Sequence, residues 1–301
     1  MLQKLAGAVA LLLYTMPIKT SQQRTHDAGK IEKPLRAPLS AGIEITNKCN
    51  FNCAYCYNEK HGNQDMKVKD FNKIISILET AGVFSISISG GEPLCHDKFK
   101  DICRIIKKSK LNTALMTNGY FIKKYAQLIS TVFNQIYISI DGPENIHNKL
   151  RMGFQTIIKP LKEIKIRKIM AVTLTKVNSN YLKEIIKTSK ENNFDSLCFF
   201  ALKPVGRGKF TNNILSLNAQ DLQKIGKRLV KLKLKWKAKI TYTDPTSEPC
   251  YAGKQLLYIL PDGIVKPCAY SPFKVGNILY EDWNTLWKKC QNFPVTCHAF
   301  L

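Results

Sequence analysis

The chain has 301 residues, 45% of them apolar, which is the content of a folded protein able to bury a sizeable core in one large domain or a large domain with a small one. Lysine and arginine number 46 against 22 aspartates and glutamates, so the formal net charge is +24. Ten cysteines without a clear secretory signal argue against a disulfide framework and favour metal or redox chemistry in a reducing cytoplasm.

The strongly basic surface fits three kinds of partner: nucleic acid, an acidic flavodoxin- or ferredoxin-like electron donor, and an acidic peptide substrate. A solvated lysine-rich surface without a dedicated partner explains the charge equally well. Nucleic acid fits less well than the other two, because the basic residues are not interleaved with a recognisable aromatic motif and no zinc-finger spacing occurs.

Residues 5–16 form an apolar run behind one lysine, similar to the core of a signal peptide but too short to span a bilayer. No clean small-x-small cleavage site follows it. We expect a docking helix or a poorly ordered extension, with a membrane-surface anchor as the alternative. Residues 17–40 have the composition of a linker, so the first region of the chain is 1–40.

From residue 42 onward, short apolar runs alternate with stretches of helical periodicity. Strands are predicted at 42–45, 84–89, 113–117, 135–140, 169–174 and 197–202, and helices at 71–80, 99–108, 122–130, 155–166, 181–191 and 219–234. This alternation predicts a parallel α/β sheet that right-handed crossovers curl toward a barrel over residues 41–234. The composition changes from about residue 235, which defines a third region, 235–301.

Three thiols, Cys49, Cys53 and Cys56, fall within eight residues just after the first predicted strand. Three thiolates complete a tetrahedral zinc site only with a fourth ligand, and His61 is the nearest histidine. The spacing favours an iron–sulfur cluster with one iron left open for substrate or cofactor. A zinc knuckle and three unrelated buried cysteines remain the alternatives.

Polar residues also follow the next three predicted strands. Since the carboxyl ends of parallel strands meet at one edge of a sheet, these residues are candidates for a shared site. As isolated pairs, Asn118-Gly119 and Asp141-Gly142 are common turns. The candidates at this edge are Gly90, Gly91, Glu92, Asn118, Ser139 and Asp141.

The Cys-x3-Cys-x-aromatic-Cys run, followed by Gly90-Gly91-Glu92-Pro93, resembles the radical S-adenosylmethionine (SAM) enzyme superfamily. The resemblance implies an open partial (β/α)6 barrel of the TIM type, a [4Fe-4S] cluster on the three cysteines, and SAM chelated to the open iron. One electron then splits SAM into methionine and a 5'-deoxyadenosyl radical, which abstracts a hydrogen atom from substrate.

The same resemblance implies which residues contact SAM. Tyr55 is expected against the adenine, and Gly90, Gly91 and Glu92 at the methionyl amino group. Ser139 and Asp141 are expected near the ribose or the carboxylate, and Asn118 is expected to line the same cavity. Pro204-Val205-Gly206-Arg207 is similar to a Pro-x-Gly-Arg segment of relatives with C-terminal extensions, which places Arg207 near the SAM carboxylate or an acidic substrate group; a solvated loop arginine is the alternative.

In the third region, the turn Pro261-Asp262-Gly263 predicts a hairpin that brings Cys250 and Cys268 together. This tail resembles the SPASM and twitch extensions of radical SAM enzymes, although it lacks the further cysteines of a full SPASM tail. The resemblance implies one auxiliary [4Fe-4S] cluster on Cys250, Cys268 and Cys297, with Cys290 as a fourth candidate or a simply buried residue. The remaining cysteines, Cys95, Cys103 and Cys198, are predicted to be core residues.

These features favour a cytoplasmic radical SAM oxidoreductase that modifies a ribosomally made peptide, by crosslinking or another oxidative step. Oxidation or decarboxylation of a small molecule in cofactor or antibiotic biosynthesis is the enzymatic alternative. A basic nucleic-acid-binding metal protein is the alternative from another class.

Overall fold

A single sheet of ten strands forms the centre of the computed structural model, which describes residues 34–58, 62–242 and 250–293. The strands are β1 Ser40–Glu44, β2 Ser85–Ser89, β3 Asn112–Thr117, β4 Gln135–Ser139, β5 Arg167–Leu174, β6 Ser196–Ala201, β7 Ile240–Tyr242, β8 Leu256–Ile259, β9 Ile264–Lys266 and β10 Gly276–Asn277. Their order in the sheet is β10-β9-β8-β1-β2-β3-β4-β5-β6-β7.

Helices connect the successive strands from β1 to β7, and one further helix follows β10. In the described residues they are α1 Val68–Ala81, α2 Phe99–Lys108, α3 Ile122–Val132, α4 Glu144–Leu150, α5 Phe154–Ile158, α6 Leu182–Glu191, α7 Asn212–Leu215, α8 Ala219–Trp236 and α9 Trp283–Gln291, with 3-10 turns at Pro93–Cys95, Lys159–Glu163 and Gly206–Lys209. None of the described helices is long and apolar enough to cross a membrane, and residues 5–16 lie outside the described part of the chain.

The predicted parallel α/β barrel is confirmed, and it is wider than the sequence indicated. All six predicted strands form and pair in parallel in chain order. Two further strands extend the parallel run, β7 beside β6 and β8 beside β1. The predicted hairpin also forms, because β8, β9 and β10 are antiparallel neighbours.

The predicted boundary at residue 235 falls inside α8, and strands β7 to β10 on its far side continue the same sheet. The division into 41–234 and 235–301 therefore stays a prediction. The helix predicted over 155–166 is wrong in its second half: α5 ends at Ile158 and a 3-10 turn follows. Pro160 lacks an N–H and clashes with the preceding turn, so the α-helix cannot continue through it.

Strand β2 carries large apolar residues on the face toward the helices and small polar residues on the face toward the barrel interior. The small residues leave space inside the barrel. On β2, Ile86 and Ile88 pack into the main apolar core beneath the helices. The alternating residues Ser87 and Ser89 face the other side and line a cavity. Because side chains alternate along a strand, the sequence Ser-Ile-Ser-Ile-Ser sends its bulk to the helices and its small polar groups inward.

Two of the three cysteines without a motif lie where the sequence predicted them. Cys103 is fully buried on the core face of α2. Cys198 packs inside the barrel with Ala114, Tyr137 and Ala171. Cys95 departs from the prediction because it is only half-buried, with its thiol 3.9 Å from Asn50 Oδ1 in the cysteine loop.

Candidate functional site

A cavity opens inside the barrel at the carboxyl ends of the parallel strands. It brings together nearly all of the site residues predicted in the barrel region. The predicted residues on its wall are Cys49, Cys53, Tyr55, Cys56, Gly90, Gly91, Glu92, Asn118, Ser139 and Arg207. Asp141 differs, because it is completely buried behind this wall.

The loop that carries the cysteines, residues 46–58, is held by backbone contacts to the turn after β2. Gly91 N–H donates to Thr46 O at 2.8 Å, and Glu92 N–H donates to Lys48 O at 2.7 Å. A methyl group on Gly90 would lie 2.3 Å from Thr46 O, and one on Gly91 would lie 2.2 Å from Lys48 O. The structure therefore gives both glycines a packing reason that is independent of any ligand.

A second glycine turn holds the other end of the cysteine loop. Arg207 N–H donates to Cys56 O at 2.9 Å. Gly206 has φ of +56°, and a methyl group there would lie 2.0 Å from Tyr57 O. The Arg207 side chain returns to the same loop, where its Nη1 donates to Asn52 Oδ1. The 206–208 turn is thus part of the cysteine loop's support as well as of the cavity wall.

Polar groups are directed at the sulfurs of Cys49 and Cys53. Phe51 N–H donates to Cys49 Sγ at 3.4 Å, and Asn118 Nδ2 approaches the same sulfur at 4.0 Å. Arg151 Nη1 lies 3.8 Å from Cys53 Sγ. Such donors offset the negative charge of thiolates and are among the groups that tune an iron–sulfur cluster.

Burial raises the pKa of Cys49 to about 12, against the opposing effect of the Phe51 N–H. Burial also raises the pKa of Cys53, which Arg151 counteracts. Without a bound cation these thiols are therefore protonated at neutral pH, and metal binding supplies the charge that makes them thiolates. Three sulfurs around one cavity, with N–H and guanidinium groups directed at them, fit an iron–sulfur cluster.

Single-ion binding is a different arrangement. Across 34–58, 62–242 and 250–293, no group of three or more His, Cys, Asp or Glu side chains is placed to hold one metal ion. His61, the fourth ligand in the zinc alternative, lies outside the described residues. In a four-iron cluster each thiolate binds its own iron, so the sulfurs surround the cluster rather than one ion.

Glu92 joins two elements of the cavity wall. Its carboxylate accepts hydrogen bonds from Thr117 Oγ1 at 2.6 Å, Asn118 N–H at 2.7 Å and Leu94 N–H at 3.1 Å. Burial raises its pKa to about 7 in spite of these donors. Glu92 therefore ties the end of β3 to the Gly90-Gly91 turn, and its contact with a SAM amino group stays a prediction.

Asn118 and Ser139 occupy the wall from β3 and β4. Asn118 Nδ2 donates to Asn50 Oδ1 at 2.8 Å, and Asn118 Oδ1 accepts from Tyr120 N–H at 2.9 Å. Ser139 is the last residue of β4 and is half-buried at the cavity. Their placement at strand ends is as predicted, and their contact with SAM is untested.

Asp141 forms a buried ion pair that sequence reasoning missed. Arg151 Nε donates to Asp141 Oδ2 at 2.7 Å, and the Tyr55 hydroxyl donates to the same oxygen. Asp141 Oδ1 accepts from Thr173 N–H at 2.7 Å. The Arg151 guanidinium also lies 5.3 Å from the centre of the Tyr55 ring. Asp141 thus holds Arg151 and Tyr55 in the cavity wall, and its predicted contact with SAM stays untested.

One signal in the sequence points to Arg151. The chain has seven arginines against thirty-nine lysines, so an arginine is an unusual choice of cation here. A guanidinium can pair with a carboxylate, stack on an aromatic ring and reach a further acceptor at once, which an ammonium cannot do. Its carboxylate partner, Asp141, is predicted at the end of a strand, but nothing in the sequence pairs it with Arg151.

The cysteine-bearing segments of the tail converge at Gly253. Gly253 N–H lies 3.2 Å from Pro267 O, next to Cys268, and a methyl group on Gly253 would lie 2.4 Å from Cys290 O. Cys250 and Cys268 are half-buried, whereas Cys290 is fully buried in the main core, where burial raises its pKa to about 12. Ligation by these three residues stays a prediction, and Cys297 lies outside the described residues.

Comparisons with known proteins match both parts of this arrangement. A radical SAM superfamily model matches residues 43–189, and the model of the SPASM iron–sulfur cluster-binding domain matches residues 250–296. The chain is 26% identical over 294 residues to the sporulation killing factor maturation protein SkfB of Bacillus subtilis (strain 168), covering 92% of this chain and 71% of SkfB.

A probable GTP 3',8-cyclase of Metallosphaera sedula is 25% identical over 273 residues, covering 79% of this chain and 83% of that protein. Among solved structures, Streptococcus suis SuiB bound to its precursor peptide SuiA has the same fold, with a TM-score of 0.74 at 19% identity. That match covers 84% of this chain and 65% of SuiB, so the chain spans about two thirds of SuiB.

Gly91→Ala tests the backbone contact between the Gly90-Gly91 turn and the cysteine loop. The methyl group cannot fit against Lys48 O, so the loop must move. We expect a lower melting temperature and less than about half of the wild-type iron after anaerobic purification. Gly82→Ala is the control: its methyl group meets nothing within 4 Å, and its φ of +85° costs about 1 kcal/mol far from the site. Equal iron content in the two variants would show that this contact does not position the cysteine loop.

Asp141→Asn tests the buried ion pair. Because the change leaves the Arg151 guanidinium buried without its counter-charge, we expect a loss of about 3 kcal/mol in the free energy of unfolding. Asp101→Asn breaks an exposed pair with Arg104 and should cost less than about 1 kcal/mol. Urea unfolding of the metal-free protein measures both. Similar small losses would show that the Asp141 pair does not organise the wall.

Proposed function

We infer the function of this chain from its family: it belongs to the radical SAM superfamily and carries a C-terminal SPASM domain. It is therefore a radical SAM enzyme, whose cofactors are a [4Fe-4S] cluster and SAM, with auxiliary iron–sulfur binding in the SPASM domain. The substrate and the individual residue roles are our proposals.

We propose that the enzyme oxidatively modifies a ribosomally made peptide. The observation that carries this proposal is the similarity to SkfB, a maturation protein, across 92% of the chain and both domains. The fold of SuiB, solved with a precursor peptide, supports it. The cavity supports it as well, because Tyr258 and Tyr270 of the tail line the same wall as the three cysteines of the barrel.

The group held by Cys49, Cys53 and Cys56 would supply the electron that splits SAM into methionine and an organic radical. The protein's own part is to aim the reactants and exclude water. Met116, Phe200 and Leu202 provide apolar wall for that purpose. Asn118 and Arg151 direct polar hydrogens at the cysteine sulfurs from the same wall.

We propose the following contacts for SAM. Tyr55, fixed by Asp141, would lie against the adenine. Gly90, Gly91 and Glu92 would face the methionyl amino group. Asn118 and Ser139 would face the ribose or carboxylate, and Arg207 would neutralise the carboxylate or an acidic substrate group.

The charge of the chain fits the proposed partners. Arg151, Lys203 and Arg207 bring positive charge to the cavity wall, and the chain as a whole carries +24. We propose an acidic leader peptide as the substrate's recognition element and an acidic flavodoxin- or ferredoxin-like protein as the electron donor, in a reducing cytoplasm. Both associations would weaken as salt screens the charges.

Coexpression with acidic short peptides encoded beside the gene tests the substrate class. A crosslinked peptide loses two hydrogen atoms per bond, so mass spectrometry detects the modification wherever in the peptide it lies. We expect this loss with the wild-type enzyme and none with Cys53→Ala. Unchanged masses for every such peptide, from an enzyme that still cleaves SAM, would contradict the peptide proposal.

A small-molecule substrate is the second candidate, favoured by the similarity to a probable GTP 3',8-cyclase. The reduced, SAM-supplied enzyme incubated with GTP distinguishes the two. If the wild type consumes GTP and Cys53→Ala does not, the substrate is a small molecule and the peptide proposal is wrong. If the amount of GTP stays constant, the peptide proposal stands.

Iron and sulfide per chain test the auxiliary cluster. With two four-iron clusters, we expect about eight irons in the wild type and about four in a Cys250→Ala/Cys268→Ala variant. Cys103→Ala, a core cysteine outside both motifs, should keep about eight. The same iron content in the wild type and the double variant would remove Cys250 and Cys268 from the ligand set.

A further inference from the structure

A buried group of hydroxyls and one carboxylate lies beside the cavity, and none of the roles proposed for SAM or the clusters uses it. The group consists of Glu44, Tyr57, Ser89 and Tyr258, and we refer to it as the hydroxyl cluster. The Tyr258 hydroxyl is at its centre, 3.2 Å from Glu44 Oε2, 2.9 Å from Ser89 Oγ and 3.1 Å from the Tyr57 hydroxyl. Glu44 is 4% exposed and Tyr258 is 5% exposed.

The sequence makes room for this cluster at the junction of β1 and β8. Gly42 is the register partner of Tyr258, and a methyl group on Gly42 would lie 2.5 Å from the Tyr258 ring. The ring therefore lies directly over the glycine, which sets the position of the hydroxyl. A carboxyl group in such an interior costs free energy that an apolar residue would avoid, so its presence calls for a role.

Burial raises the pKa of Glu44 to about 7, and the repulsion of Asp262 adds to that effect. The Tyr258 hydrogen bond and the Lys266 ammonium oppose it. The remaining ionisable neighbour in the cluster is Tyr57, itself fully protonated because burial raises its pKa well above the usual value. With this pKa, Glu44 can gain or lose a proton near neutral pH.

Tyr258 stands between Glu44 and the cavity. Tyr258, Tyr57 and Ser89 line the cavity wall, whereas Glu44 lies behind them. A tyrosine hydroxyl carries one proton and accepts others, so it can give its own proton to one neighbour while receiving one from another. Burial raises the pKa of Tyr258 well above the usual value, so this hydroxyl passes a proton on without remaining ionised.

The other carboxyl groups at the cavity, among the described residues, are occupied. Glu92 accepts three hydrogen bonds from the protein, and Asp141 is paired with Arg151 behind the wall. Both serve as acceptors for fixed donors. Glu44 differs from Glu92, which accepts three donors, and from Asp141, which is paired with a guanidinium. Its hydrogen bond comes from the Tyr258 hydroxyl, which also contacts two further hydroxyls on the cavity wall.

We propose that Glu44 is the base that accepts the proton lost by the substrate, and that the Tyr258 hydroxyl relays this proton from the cavity. The inference rests on the proposed oxidative function, in which one hydrogen leaves the substrate as an atom and a second leaves as a proton. In the relay, a substrate O–H, N–H or C–H bond breaks as Tyr258 Oη gains that proton, and the original Tyr258 proton forms an O–H bond with Glu44 Oε2. One proton moves through the relay and the electron pair of the broken bond stays on the substrate. The single electron that the oxidation then releases would pass to the auxiliary iron–sulfur cluster of the SPASM domain.

Infrared spectroscopy of the iron-loaded protein tests Glu44 without any substrate. A buried, protonated carboxyl group gives a C=O stretching band that disappears on ionisation. We expect a band that titrates near pH 7 in the wild type and is missing in Glu44→Gln. Glu92→Gln serves as the assignment control, since Glu92 should give a second, separate band. If Glu44→Gln removes no titrating band, Glu44 is not the base.

Transfer into D₂O tests the relay itself. The Glu44 band shifts when its proton exchanges for deuterium, and in the wild type the Tyr258 hydroxyl provides the path. We expect Tyr258→Phe to slow this exchange by about an order of magnitude. Tyr242→Phe is the matched control, because the Tyr242 hydroxyl is also buried but donates to Leu222 O. Equal exchange rates in wild type and Tyr258→Phe would overturn the relay.

Product formation completes the test. Glu44→Gln should still produce 5'-deoxyadenosine from SAM. The amount of modified peptide per 5'-deoxyadenosine should fall by about a hundredfold compared with the wild type. Undiminished modified peptide would show that Glu44 is not the base. If the wild type modifies no peptide, the proposed function has failed, whereas the infrared titration and exchange still decide the behaviour of Glu44 and Tyr258.

Discussion

The close contact between two backbones, residues 46–48 and the Gly90-Gly91 turn, determines where the site can form. The cysteine loop has almost no secondary structure of its own, so its position comes from hydrogen bonds to its neighbours. Gly206 makes an equivalent contact with Tyr57 at the other end of the loop. The three sulfurs are therefore placed by the sheet, through turns that only residues without a side chain can form.

The buried charges of the cavity wall are matched by groups in direct contact with them. This matching does not depend on the large net charge of the chain. Asp141 is matched by Arg151, and the sulfurs of Cys49 and Cys53 receive N–H or guanidinium donors. Glu44 and Glu92 have pKa values raised to about 7 by burial, which outweighs their hydrogen bonds and more distant cations. The site can thus hold or release protons near neutral pH while its ion pair stays fixed.

Features that depend on local pattern were predictable from the sequence. The alternation on β2, the helical spacing on α2 and the cysteine motif are each contained in a short stretch of sequence. The strands, the helices and the meeting of the site residues at the strand ends could therefore be predicted. Contacts that depend on how the chain folds back could not be predicted. The Arg151 partner depends on how α4 returns to the end of β4, and the pairing of β8 with β1 joins four-residue and five-residue strands from opposite ends of the chain. The reason for Gly42 becomes visible only through that pairing, because the ring that fills its space belongs to Tyr258.

Reductive cleavage of SAM at the three cysteines of the barrel mouth is the step from which the proposed chemistry starts. It is measured as the yield of 5'-deoxyadenosine and methionine when the iron-loaded, reduced protein is incubated with SAM without oxygen. We expect equal amounts of both products from the wild type and none from Cys53→Ala at matched protein concentration. An iron-loaded wild type that leaves SAM intact, or a Cys53→Ala variant that cleaves it undiminished, would show that these cysteines do not support the reaction.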